Sequence, residues 1–201
     1  MSAEAVRRHY GQWAESYGKP EDDGLFSFVR AREVRMVNEL LALRGGESIL
    51  DAGCGPGIYA AALHARGHEV WACDFAPEMV AQVEGKVDRA LVADVTTLDL
   101  GRTFDRILCL GVLEWVDARA VLPRLRRHLA EGGRLVALAP RTGPGGWFYA
   151  RAKRKHGLSA RLHSPSEMRV IAAQSGLRCT AVHTPFVHNF VAVFEPRMQT
   201  P

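Results

Sequence analysis

The chain is short of cysteine and has no long apolar run, and each shortage excludes a class of protein. Its four cysteines, at 54, 73, 109 and 179, are too widely spaced for a zinc site, and three lie in apolar, strand-like runs. They read as buried free thiols of a reducing compartment. No uninterrupted apolar segment approaches the roughly 20 residues that span a bilayer. The opening Met1-Ser2-Ala3-Glu4-Ala5 lacks the apolar stretch of a secretory leader. A cytoplasmic protein without a transmembrane segment is therefore expected. Net charge is only +4, too mild to imply nucleic acid by itself. No carboxylate–histidine cluster suggests a metal, and there is no internal repeat or low-complexity stretch.

What is present suits one globular domain. The 201 residues allow a single sizeable core, and 47% hydrophobic with 24% charged residues is the ordinary balance of a soluble fold. Val6, Tyr10, Trp13 and Tyr17 recur at helical spacing, which predicts an aromatic-faced helix over 2–17. A second helix is expected from Leu25 to Leu43, stopped by Arg44-Gly45-Gly46. Strands and helices then alternate. Strands are expected at Ser48–Asp51, Glu69–Cys73, Arg89–Ala93, Phe104–Leu110 and Arg134–Ala139. Helices are expected up to Arg66, over Glu78–Gly85, and from an Asp117 cap to Glu131-Gly132-Gly133. Ser164-Pro165-Ser166-Glu167 is a capping box that opens a helix to about Ser175. Leu177–Thr184 and Asn189–Phe194 read as an antiparallel hairpin. Such alternation implies an α/β fold, a mostly parallel sheet with helices on both faces.

The stretch that organises the chain is Leu50-Asp51-Ala52-Gly53-Cys54-Gly55-Pro56-Gly57: an apolar strand, a carboxylate, three alternating glycines, then a small-residue helix. Strand, glycine turn and helix form a nucleotide-type site at the carboxyl end of a parallel strand. The pattern is not the dinucleotide fingerprint, because Ile58 stands where its third glycine belongs, and no Gly-Lys-Ser/Thr makes a P-loop. Asp74 ends the second strand 23 residues after Asp51, where a carboxylate can accept the two hydroxyls of an adenosine ribose.

This run resembles the first motif of class I S-adenosylmethionine (SAM)-dependent methyltransferases, in particular the small-molecule group that acts on quinones and natural products. The resemblance continues over about 48–140. Asp74-Phe75-Ala76-Pro77-Glu78-Met79 is similar to the family's D-x-S-P-x-M segment, with Ala76 in place of Ser. Phe104 to Val116 is similar to its F-D-x-V-x-x-x-x-V-L-E-H/Y-V block, with Trp115 in place of His, and Leu129 to Leu135 to its L-x-P-G-G-x-L turn. It implies a Rossmann-like seven-stranded sheet, mostly parallel, with a C-terminal antiparallel hairpin and an N-terminal helical lid. The chain would divide into a helical cap (1–44), a SAM-binding core (45–140), a substrate-side insertion (141–163) and a C-terminal helix and hairpin (164–201).

The same resemblance implies roles. Gly53 and Gly55 would let the backbone approach the methionine part of SAM, with Asp51 and Cys54 in the same cofactor site. Asp74 would take the ribose, Phe75 and Met79 the adenine faces, and Asp94 and Val95 the adenine edge. Leu110 with Gly111 would border the sulfonium. Tyr10-Gly11-Gln12-Trp13-Ala14-Glu15-Ser16-Tyr17 is similar to a segment ahead of the first motif in small-molecule members, so Tyr17 would close over the site; on the second helix, Arg30 or Arg32 would pair with the cofactor carboxylate. Candidate bases are His9, Tyr10, Tyr17, His163, His183 and His188, of which Tyr10, Tyr17 and His188 are carried as catalytic; Glu114 reads as structural. No metal is expected.

The expected activity is methyl transfer to a small-molecule acceptor, oxygen ahead of nitrogen or carbon, in a biosynthetic setting. The alternatives are a SAM-binding regulatory module without turnover and, further off, a nicotinamide oxidoreductase. The basic run Arg151-Ala152-Lys153-Arg154-Lys155-His156 follows Trp147-Phe148-Tyr149. Aromatics beside cations suit an anionic substrate, a membrane surface or RNA, and the acceptor is expected to be anionic or aromatic. The asparagine-proline-proline-aromatic signature of amide or base nitrogen methylation is absent after the fourth strand, which argues against DNA methylation, and no nucleic-acid partner is expected. A monomer or homodimer is compatible with all of this.

Overall fold

The computed structural model describes residues 3–13 and 24–197; Tyr17 lies outside them, as does the side chain of Arg30. Two helices come first, α1 (Ala3–Trp13) and α2 (Gly24–Leu41). They are followed by β1 (Ser48–Ala52), α3 (Ile58–His64), β2 (Glu69–Asp74), α4 (Pro77–Val83), β3 (Arg89–Val92) and β4 (Phe104–Leu110). The chain continues through α5 (Ala118–Arg127), β5 (Leu129–Pro140), α6 (Pro144–Arg154), α7 (Pro165–Gln174), β6 (Leu177–Phe186) and β7 (Asn189–Pro196). The strands form one seven-stranded sheet in the order β3-β2-β1-β4-β5-β7-β6. Its first five strands are parallel, and β7 runs antiparallel to both β5 and β6. This is the α/β architecture expected from the alternation, terminal hairpin included.

Alternation along each strand splits the core in two. Leu50, Ile107, Leu135, Ala192 and Phe194 face one side and pack with Val121, Leu122 and Leu125 of α5 and Met168 and Ile171 of α7. Ile49, Val70, Leu108, Val136, Val191 and Val193 face the other and meet Val37 and Leu41 of α2 and Ala60 and Leu63 of α3. Each fully buried aliphatic side chain contributes roughly 1.5–3 kcal/mol. The C-terminal half of α2 thus belongs to the core. Its last carbonyls are held by the sheet, with Arg106 Nε donating to Leu41 O at 2.6 Å and Arg134 Nη1 to Leu40 O at 3.0 Å. α1 lies on α4 instead.

Two expectations need correction. The helix after Asp117 stops at Arg127, and β5 begins at Leu129, five residues before the expected Arg134. The main chain of β4 captures this stretch: Phe104 N donates to His128 O at 2.8 Å, and Leu129 pairs with Phe104. Gly132-Gly133 is then an irregularity inside the strand. A Cβ on Gly133 would sit 2.8 Å from Ala130 O and 3.1 Å from Asp105 O. The 141–163 segment is not bare insertion: Pro144, at the first turn, opens α6, and a bridge between Arg141 and His163 closes the segment at its base. The capping box behaves as expected, with Ser164 Oγ accepting from Glu167 N at 3.0 Å.

Candidate functional site

In the strand order, β1 and β4 are neighbours whose connections leave in opposite directions. A sheet of this kind offers a crevice at the carboxyl ends of those strands. A cavity of about 390 Å³ opens there, within the range of small-molecule sites. Asp51, Gly53, Cys54, Gly55, Asp74, Phe75, Met79, Asp94, Val95 and Leu110 all line it, as do Tyr10 and His188. The fold thus brings together every described residue singled out for cofactor or chemistry at 51–110.

Main chain builds one end. Gly53 N and Cys54 N both donate to Cys73 O, at 2.8 and 2.9 Å, which stitches the glycine turn to the end of β2. Gly55 N donates to Asp74 Oδ2 and Ala76 N to Asp74 Oδ1, both at 2.9 Å. These bonds fix the carboxylate and leave its remaining lone pairs toward the cavity. The three glycines do different work. At Gly53 (φ +81°) a Cβ would stand 2.3 Å from Val112 Cγ2, and at Gly57 (φ +78°) 2.6 Å from Val83 Cγ2. Both are close approaches within the protein. At Gly55 (φ +52°) no atom lies within 4 Å, so its bare backbone faces open space. Asp94 is exposed, its Oδ1 accepting from Thr96 N at 2.8 Å and Thr96 Oγ1 at 2.7 Å. Burial, with the charge of Asp74, pushes Asp51 up to about 7. Burial, with both carboxylates, keeps Cys54 a thiol. All four cysteines are free.

Side chains build the other end, among them Glu33, Tyr59 and Asn189, which nothing in the sequence singled out. Glu114, only 4% exposed, is pushed up to about 7 by burial, while Tyr149 and Lys153 act in the other direction. Tyr149 OH donates to its Oε1 at 3.2 Å. Tyr59 OH donates to Glu33 Oε1 at 3.0 Å, and both residues line the cavity. Lys153 Nζ stands 5.9 Å from the ring centres of Tyr10 and Trp115 and 5.5 Å from that of Tyr149. Burial lowers its pKa. His188 stacks on Tyr149 and Phe186, and burial lowers its pKa too.

Six buried side-chain polar atoms lack a hydrogen-bond partner among the described residues: Asp51 Oδ2, His68 Nδ1, Glu114 Oε2, Trp115 Nε1, His163 Nδ1 and Asn189 Oδ1. His68 and His163 have carboxylates near those atoms, Glu47 at 3.1 Å and Glu167 at 3.6 Å. The other four residues all line the cavity. A buried group left unsatisfied costs roughly 1–3 kcal/mol, so their gathering around one cavity marks a surface built to meet a ligand.

Other candidates fall elsewhere. His163 Nε2 is bonded to Leu113 O at 3.0 Å, and His183 is exposed on β6. His9 packs against Tyr10 and His156. None of the three lines the cavity. Glu114, taken as structural, is in its wall instead. The i,i+4 spacing of Tyr149 and Lys153 was the available signal for a shared helix face; Glu33 and Asn189 had none. No group of three or more metal-binding side chains occurs among the described residues, and none of their helices is long and apolar enough to cross a membrane.

Comparison with known proteins agrees with this geometry. Residues 50–137 match the family described as a methyltransferase domain. Over that segment the chain is similar to methyltransferases. Over 134 residues it is 32% identical to a malonyl-[acyl-carrier protein] O-methyltransferase of Herminiimonas arsenicoxydans, a match covering 65% of this chain and 51% of that protein. Over 130 residues it is 33% identical to a ubiquinone biosynthesis O-methyltransferase of Pseudomonas entomophila, covering 60% and 53%. The chain thus spans about half the length of these relatives. In fold it resembles the magnesium protoporphyrin IX methyltransferase of Synechocystis PCC 6803, solved with S-adenosylhomocysteine (SAH) bound. That likeness has a TM-score of 0.74 at 20% identity and covers 96% of this chain and 99% of the other. The fold places the glycine turn, Asp74 and the α6 wall around one cavity.

Proposed function

We propose that this protein transfers the methyl group of SAM to an oxygen of a small-molecule acceptor. The observation that carries the reading is the open backbone of Gly55 beside the fixed carboxylate of Asp74, at the mouth of the β1–β4 crevice. When bound, SAM supplies a methyl activated by its cationic sulfur. Asp74 holds the ribose hydroxyls, Phe75 and Met79 flank the adenine, and Asp94 and Val95 meet its edge. Asp51 and the main chain of Gly53, Cys54 and Gly55 hold the methionine part, and Leu110 borders the sulfur. Tyr17 and Arg30 keep the roles of closing residue and carboxylate partner that the resemblance implies.

The acceptor occupies the end lined by Tyr10, Trp115, Tyr149, Lys153 and His188. Its hydroxyl would donate to Glu114 Oε2, the carboxylate oxygen without a partner, and Glu114 would take that proton as the O–CH₃ bond forms and the methyl's bond to sulfur breaks, with SAH as the leaving group. A carboxyl poised near 7 can accept and release a proton at neutral pH. Tyr149 holds the other oxygen in place. The Lys153 ammonium attracts an anionic or aromatic-anionic part of the acceptor, and Asn189 Oδ1 accepts from a second donor. His188 is the other proton acceptor on the wall; the orphaned oxygen favours Glu114.

The test is SAH release from SAM with a panel of phenols, catechols and hydroxy acids. Turnover of a hydroxyl compound but not of its O-methyl ether is expected. Binding of SAH with no turnover of any hydroxyl, amine or carboxylate acceptor would favour the regulatory module.

A further inference from the structure

α6 presents two unlike sides. At 100° per residue, Gly146, Tyr149, Ala150 and Lys153 fall on one side, and with Gly145 these are its buried and half-buried positions. Trp147, Phe148, Arg151, Arg154 and the capping Lys155 fall together within about a third of the circumference on the opposite side, and all are exposed. The helix contains no acidic residue. Trp147 and Phe148 are 63% and 75% exposed, and Val187, in the turn between β6 and β7, is 79% exposed. These are the three most exposed large apolar side chains among the described residues. They adjoin: a Cβ on Gly145, in the first turn of α6, would lie 2.4 Å from Val187 O and 3.1 Å from Val187 Cγ2. No carboxylate among the described residues pairs with Arg151, Arg154 or Lys155.

We propose that this outward face of α6, with Val187 beside it, docks the protein on an anionic lipid bilayer. An indole and a phenyl ring at one end of a convex helix suit the headgroup boundary, where amphipathic rings settle. Three cations on the same face suit lipid phosphates. A single strand of nucleic acid would call for a basic groove with rings along it, whereas this face is one exposed helix. Eleven residues give a reversible contact, not an anchor. The inner side of the same helix carries Tyr149 and Lys153 into the cavity wall. A docked bilayer therefore lies one helix thickness, about 10 Å, from the cavity.

The docking surface is independent of the transfer reaction and is tested without it. The purified full chain is co-sedimented with vesicles of phosphatidylcholine mixed with phosphatidylglycerol, and with vesicles of phosphatidylcholine alone. Binding to the mixed vesicles is expected, weakening at least tenfold at high salt because exposed charges are screened. Trp147→Ser with Phe148→Ser, and separately Arg151→Gln with Arg154→Gln and Lys155→Gln, each lowers vesicle affinity at least tenfold while SAH affinity stays that of the unaltered protein. Equal vesicle binding by the variants, equal binding to neutral vesicles, or none to the mixed vesicles would overturn the assignment. Retention on polyglutamate without vesicle binding would overturn it too, and would give the face to an acidic protein.

Discussion

At the β1–β2 end of the cavity the wall is main chain, with Gly53, Cys54, Gly55 and Ala76 locked to Cys73 O and the Asp74 carboxylate. At the α6 end it is side chain, with Glu114, Trp115, Tyr149, Lys153, His188 and Asn189 converging from three separate stretches. The first kind of wall is rigid and indifferent to what lies beyond it, and suits a ligand common to many proteins. The second can be rewritten one residue at a time, and suits a ligand particular to this one. Polar groups without partners occur at both ends, Asp51 Oδ2 at the first and Glu114 Oε2 and Asn189 Oδ1 at the second.

The comparison breaks most readily at Glu114. Glu114→Gln is expected to lower turnover by roughly 10²–10⁴-fold, the span of a lost general base, with SAH affinity unchanged. Equal losses of both would mean that the two ends are not separable. At the other end, Asp74→Ala removes the acceptor of the ribose hydroxyls. SAH binding should weaken by on the order of 1–3 kcal/mol, about 10–100-fold, measured by calorimetry on a variant whose circular dichroism is native. Unchanged affinity would remove Asp74 from the cofactor site.

The glycines sharpen the contrast within one turn. Gly53→Ala drives a Cβ into Val112 at a positive φ and should cost roughly 1–3 kcal/mol of stability through overpacking. Gly55→Ala meets no atom and carries only the positive-φ penalty, on the order of 1–2 kcal/mol. It should retain the fold and lose SAH affinity. A Gly55→Ala protein that binds SAH normally would show that the open backbone is not the contact surface.

The smallest expected effect is on stability against pH. Asp51 and Glu114 rise to about 7 in the folded chain, from ordinary values of 3.8 and 4.5. Below about pH 4 both groups are protonated, folded or unfolded, and neither opposes folding. As pH climbs toward 7 the unfolded chain has already released these protons, and the folded chain must bury charge. The stability they allow in acid is therefore lost through that window. Glu114→Gln removes one of the two charges, so its melting point at pH 8 should rise by roughly 2–4 °C for each kcal/mol relieved. A melting point that falls equally at pH 5 and pH 8 would contradict the assignment.

The sheet and the glycine turn were legible because both impose a spacing on the chain. A parallel strand ending in Asp51, glycines at 53, 55 and 57 and a carboxylate at 74 are demands of backbone geometry, and backbone geometry is local in sequence. The start of β5 was not legible, because Leu129 is drawn into the sheet by Phe104, a partner 25 residues away. Nor was most of the α6 end of the cavity. Glu33, Glu114, Tyr149 and Asn189 meet only because α2, the turn after β4, α6 and the start of β7 reach the same crevice. Glu114 was visible as part of a motif, but its solitary buried oxygen is a property of the packed chain.

The most direct test of the central claim is calorimetric titration of the purified protein with SAH, with NAD as the comparison. The geometry predicts micromolar binding of SAH, no heat with NAD, and marked weakening of the SAH isotherm in Asp74→Ala. NAD binding as tightly as SAH, or an SAH isotherm indifferent to Asp74, would contradict it.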